Sequence, residues 1–206
     1  MKQQSTEEII KFLKENVEPY PDSAYGQGYR ASATLTDGTF IPCVMFRNPS
    51  TIVELAIRRF KEEQGGKSIF SKSSGQGYAD IVKTFVASGN CINYYDIAKV
   101  DKSKNAFYLN ILRQINGETT MSWTGFVLKM KDGKCFGFGT RFLNAFFAMP
   151  DNYSPDDIVE VINHSYISKT GEVCSHKVPF FDWPTDYDND VVNHERPYFD
   201  CFIDNL

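Results

Sequence analysis

The chain has 206 residues, of which 42% are hydrophobic and 23% charged, and carries a formal net charge of −4. That length accommodates one domain with a sizeable core, and the composition is that of a soluble globular protein. The acidity argues against a general nucleic-acid binder, which needs a basic footprint, and no window is apolar for long enough to span a membrane.

The first element is a helix. Ser5-Thr6-Glu7-Glu8 has the form of a capping box, and Ile9, Phe12, Leu13 and Val17 follow at helical spacing. Pro19 and Pro21 end it. This start lacks the apolar core of a secretory signal. The five cysteines are odd in number and scattered through apolar contexts, which fits free thiols in a reducing, cytoplasmic setting.

A hairpin over 29–36 and 39–47 turns at Asp37-Gly38, a pair suited to a type I′ turn. Asn48-Pro49-Ser50-Thr51 opens a second helix with Ile52, Leu55, Ala56 and Phe60 on its apolar stripe. The Gly- and Ser-rich residues 65–77 read as a loop. A third helix is expected near 78–88, ended by Gly89.

Four strands near 92–99, 106–115, 119–130 and 134–142, divided by turn signals at 101–104, Asn116-Gly117 and Asp132-Gly133, describe an antiparallel meander. Gly137 and Gly139 in the last of them mark either a bulge or a backbone approached closely by something else. Ser154-Pro155-Asp156-Asp157 has the signals of a helix start, with Ile158, Val161, Ile162 and Tyr166 as its buried stripe. A strand near 173–178, a loop from Pro179 to Asp190 and a terminal strand near 196–204 complete the chain. The order of Asp-Gly hairpin and Pro-marked helix start occurs at 29–64 and again at 123–166, but the two segments share few letters, which speaks against a duplication.

The expected architecture is a single α+β domain over 1–206: a mainly antiparallel sheet of six or seven strands, including the four-strand meander, with helices on one face.

Candidate chemistry concentrates late in the chain, where His164, His176 and His194 all lie. Cys174 and His176 stand two apart on a strand and share a face; with His194 and Cys201 they offer the ligand types of a zinc site, at spacings that match no zinc motif. Cys201 alternates with Phe199 and Ile203 as a core residue would. His164, four residues after Glu160 in the last turn of the expected helix, reads as structural. The acidic run 186–190 has carboxylates at alternate positions, but Val191 and Pro197 stand where a calcium loop needs glycine and glutamate. Gly65-Gly66-Lys67-Ser68 lacks the first glycine and the strand-before-helix context of a phosphate-binding loop. Lys67 and Lys72, with the amides around Gly75 and Gly77 ahead of a helix, retain the chemistry of a general anion site. No nucleophile elbow is present.

Aromatics crowd 142–149 and the run Phe180, Phe181 and Trp183, where a loop would ordinarily be polar. Trp and Phe in such a place make a ligand or partner surface. The reading is a soluble, non-enzymatic cytoplasmic binding module with an aromatic-rich recognition surface, needing no cofactor. Its partner is a protein or small molecule, not nucleic acid or membrane, and self-association is open. The alternative is a zinc-assisted hydrolase using His176, His194 and nearby carboxylates.

Overall fold

The computed structural model describes residues 1–22, 25–64, 77–83, 90–141, 145–177 and 183–206. Its contacts divide the chain into two compact units, Met1–Asp101 with Tyr198–Leu206, and Lys102–Pro197. In chain order the elements are α1 (Thr6–Asn16), β1 (Pro19–Asp22), β2 (Gly26–Leu35), β3 (Phe40–Arg47), α2 (Ser50–Gln64), α3 (Tyr78–Ile81) and β4 (Ile97–Lys102). Then come α4 (Leu109–Leu112), β5 (Thr124–Met130), β6 (Cys135–Thr140), β7 (Ile158–Asn163), β8 (Ser165–Ile167), β9 (Val173–Ser175), β10 (Asn193–His194) and β11 (Phe199–Phe202). The class is α+β. Among the described residues, no helix is long and apolar enough to cross a membrane, and all five cysteines are free thiols.

The strands form three sheets where the sequence leads one to expect one. The first unit holds β1-β2-β3-β11 with β4 also on β2; the second holds β10-β6-β5-β7 and a separate β8-β9 pair. The arrangement is mixed, because β11 lies parallel to β3 and β10 parallel to β6. Parallel pairing needs a long crossover, and turn signals at hairpin spacing carry no trace of one.

In the first unit, α1 starts as its sequence requires. Ser5 Oγ accepts the Glu8 N–H at 3.2 Å and the Glu8 carboxylate accepts the Ser5 N–H at 2.9 Å. Ile9 and Leu13, four apart on one face, are buried with Ala31, Val44, Phe46, Ile97, Cys201 and Ile203. The β2–β3 turn is not type I′, which needs positive φ at both central residues. Gly38 alone has it (φ +93°), while the Asp37 carboxylate accepts the Thr39 N–H at 2.8 Å.

Arg47, at the end of β3, is buried between two carboxylates. It donates to Asp22 at 2.7 Å and to Asp200 of β11, and its guanidinium lies 4.7 Å from the Tyr25 ring centroid. Burial pushes the Asp200 carboxyl up, against the downward pull of Arg47 and Asn90. Such a cluster is held by pairing: each charge is tolerable because its partners offset the cost of leaving water.

In the second unit three expectations fail for identifiable reasons. The strand expected over 106–115 is instead a turn and α4: Phe107 and Ile111 are buried four residues apart, with Tyr108 and Leu112 beside them. That spacing belongs to a helix, not an alternating strand. The strand expected from 119 begins only at Thr124, because Thr120 and Trp123 close a tight turn with Ser122 at φ +59°. The helix expected from Asp156 stops after one 3₁₀ turn, Pro155–Asp157. The Ser154–Asp157 box forms, but Ile158, Val159, Val161 and Ile162 are β-branched and continue as β7, paired with β5.

Candidate functional site

The second unit's sheet has two unlike faces. Phe126, Leu128 and Met130 of β5 and Phe138 of β6 join Phe107 and Phe147 in the core. On the other face β5 and β6 present glycines in register, Gly125 opposite Gly139 and Val127 opposite Gly137. Side chains alternate along strands, so this face is a low floor in which Gly125, Gly137 and Gly139 leave the backbone bare beside Val127.

Other groups lie directly on that floor. A Cβ at Gly139 would stand 2.0 Å from Cζ2 of Trp123, and one at Gly125 would stand 3.2 Å from Trp123 Nε1 and 3.6 Å from His176 Nε2. Ile167 of β8 covers Gly137 at 3.5 Å. The glycines therefore mark close approach rather than a bulge.

The rings form a continuous cluster. Trp183 lies 4.5 Å from Tyr187 and 6.1 Å from Trp123, centroid to centroid, the latter edge-on. His176 is 4.6 Å from Tyr166 and 6.1 Å from Trp183, and His194 is 5.8 Å from Trp123. These separations are those of paired aromatics.

Each ring is placed by local backbone pairing. Tyr166 sits on β8 opposite Cys174 of β9, and the His176 N–H donates to the His164 carbonyl at 2.7 Å. The 185–187 segment docks on the end of β8 through the Lys169 N–H, which donates to the Asp186 carbonyl at 2.8 Å. His194 of β10 lies beside Gly139. The cluster grades outward: Tyr166 and His176 are buried, Trp123 and Tyr187 half-buried, and Trp183 is 47% exposed.

Electrostatics keep the inner rings neutral at pH 7. Burial, then the His164 charge, lowers the His176 pKa to about 4. Burial, then the Asp188 charge, raises Tyr187 to about 12. Tyr166 is also raised, by burial and by donating its hydroxyl to Asp186 at 2.8 Å. What the arrangement offers is ring faces and edges for stacking.

No protein family, curated protein or solved structure matches the chain.

The residues singled out by sequence fare differently. Trp183 belongs to the cluster and is one of its exposed rings, with His194; Phe180 and Phe181 lie outside the described residues. Lys67, Lys72 and Gly75 also lie outside them. Gly77 is the extended residue ahead of α3, a helix of four residues. Cys174, His176 and His194 all reach the second unit's aromatic face, but among the described residues no three His, Cys, Asp or Glu side chains group as a metal site requires. His176 packs on Tyr166 and Trp183, and His194 on Trp123.

His164 is not helical. It occupies the turn between β7 and β8 at φ +52°, with Nδ1 at 3.2 Å from Thr119 Oγ1, while Glu160 pairs with Lys129 instead. In the acidic run, Asp188 accepts the Asp190 N–H at 3.0 Å, a turn-forming role. Sequence reasoning missed Trp123, Tyr166 and Tyr187. The signal that points to Trp123 is the glycine pair at 125 and 139, opposed across the hairpin, which advertises a large neighbour; no such signal marks the two tyrosines.

Proposed function

We propose that this chain is a non-enzymatic cytoplasmic binding module whose recognition surface is the aromatic cluster capped by Trp183. One observation carries the reading: Trp183 leaves 47% of its surface in water while resting on Tyr187 and meeting Trp123 edge-on. A large rigid ring, backed by other rings and with much of its surface in water, is the form that binding hot spots take. Its partner is a protein or a small molecule with a flat or apolar face. The zinc hydrolase reading has less support, since its histidines are engaged with rings and gather no third ligand among the described residues.

The test is Trp183→Ala beside Trp183→Phe. The alanine variant should keep the wild-type circular dichroism spectrum and lose capture of partners retained by wild-type protein, with phenylalanine restoring part of it. An alanine variant that unfolds, or that captures the same partners equally well, overturns the reading. Elemental analysis of tag-free protein addresses the alternative: stoichiometric zinc that is lost in His176→Ala would replace the binding module with a metal centre.

A further inference from the structure

The first unit carries an apolar surface of a different kind. On α2, Val53, Ile57 and Phe60 are 41%, 49% and 44% exposed. Single exposed apolar residues are ordinary, but a contiguous group is not. At about 100° per residue these three fall within an arc of about 60°. The core-facing side of the helix is a separate stripe, where Ile52 and Ala56 are buried with Tyr25 and Ile81.

The exposed stripe borders a groove of about 310 Å³ lined by Val53, Ala56, Ile57, Phe60, Tyr78 and Val82. Phe60 forms one wall, with its ring 5.2 Å from that of Tyr78.

The charges beside the stripe identify what covers it. Glu54 and Lys61, both exposed, project from the same flank, within about 20° of one another and about two turns apart. When two identical helices pack antiparallel, each flank meets its own copy with the ends reversed; when they pack parallel, it meets the opposite flank. Antiparallel packing therefore sets Glu54 of each copy against Lys61 of the other. Parallel packing would set that flank against the side occupied by the unit's own core. Acid three residues before Ile57 and base four residues after it make the helix complementary to itself about its middle, the property a two-fold interface requires.

We infer that α2 is a self-association surface, through which two copies of this chain pair antiparallel on Val53, Ile57 and Phe60 with reciprocal Glu54–Lys61 ion pairs. The apolar stripe supplies the attraction, and the charges set orientation and partner. An interface built on one helix and a groove lies at the small end of stable contacts, so the dimer is concentration-dependent.

Sedimentation of the full chain across micromolar concentrations tests this. Wild type should reach twice the chain mass at the upper end, and Ile57→Glu should remain a monomer with an unchanged circular dichroism spectrum. Glu54→Lys and Lys61→Glu, at exposed positions, should each weaken the dimer about tenfold by opposing like charges twice. An equimolar mixture of those two variants should associate as wild type does, because each supplies what the other lacks, and so should the Glu54→Lys/Lys61→Glu double variant. A wild-type chain that is monomeric throughout overturns the inference. So does a dimer that the single reversals leave intact, or one that mixing fails to restore.

Discussion

In the first unit β2 and β3 form a hairpin, β4 pairs with β2, and the late strand β11 adds parallel to β3. In the second, β5 and β6 form a hairpin, β7 pairs with β5, and the late strand β10 adds parallel to β6. The hairpin turns repeat bond for bond. Leu35 and Thr39 correspond to Met130 and Lys134, each pair joined by an N–H···O bond of 2.8 Å. Gly38 and Gly133 both take positive φ, and Asp37 and Asp132 both accept an N–H two residues on.

The faces of these equivalent strands differ. Counted through the register shift in the first hairpin, the pair Arg30–Met45 corresponds to Gly125–Gly139. Met45 lies between Arg30 and Asp200 and is buried; Gly139 lies between Gly125 and His194 and carries an indole. Where one sheet sets a buried side chain, the other leaves bare backbone as a platform for a ring. Strand order and surface chemistry are thus set by different residues, turns and pairing edges for the first, alternate strand positions for the second.

The comparison can be broken most forcefully at Arg47. Arg47→Met should leave Asp22 and Asp200 buried without their cation and cost about 3–5 kcal/mol, read as a lowered urea midpoint. A change below about 1 kcal/mol would mean that the charged cluster does not hold the first unit together. In the other unit, Gly139→Val puts a side chain where the indole of Trp123 rests. It should cost about 1–3 kcal/mol and change the near-ultraviolet dichroism of the tryptophans, since the indole of Trp123 cannot stay. An unaltered spectrum would show that the glycine floor is not what seats the ring.

A smaller effect is expected with pH. The unfolded chain protonates His176 near its ordinary pKa of 6.5, whereas the folded chain resists until about 4. The unfolded state therefore binds more protons across that window, and stability should fall as pH drops through it. His176→Gln should flatten this part of the stability profile; an identical slope would place its origin elsewhere. The smallest change in stability belongs to Trp183→Ala, about 1 kcal/mol or less because much of the ring is already in water, measured by thermal melting.

Much of the first unit is legible in its sequence because its signals are local. The Ser5–Glu8 box, the Asp37-Gly38 reversal and the Ile52–Ala56 stripe each act within a few residues, and each appears where the sequence places it. The second unit is less legible because its local signals conflict. Ser154 to Asp157 opens as a helix should, and the β-branched run behind it prevails through pairing with β5. Phe107 and Ile111 stand among residues that also alternate, and only burial chooses between the two periods. Trp183 is visible as an aromatic in a polar setting, but two of its neighbours arrive from elsewhere, Trp123 from the turn before β5 and His176 from the end of β9. Such convergence has no single-segment signature, although the glycines beneath it do. The same holds for Arg47, whose partner Asp200 is 153 residues away.

That separation has a consequence for biosynthesis. Residues 102–197 form a unit of their own between the two parts of the first, so β11 is translated only after every residue of the inserted unit. During that interval Arg47 has Asp22 but not Asp200, and the edge of β3 is unpaired, the condition in which nascent chains are most prone to wrong strand partners. Pairing of the β3 edge therefore waits for a strand made after the whole of the second unit.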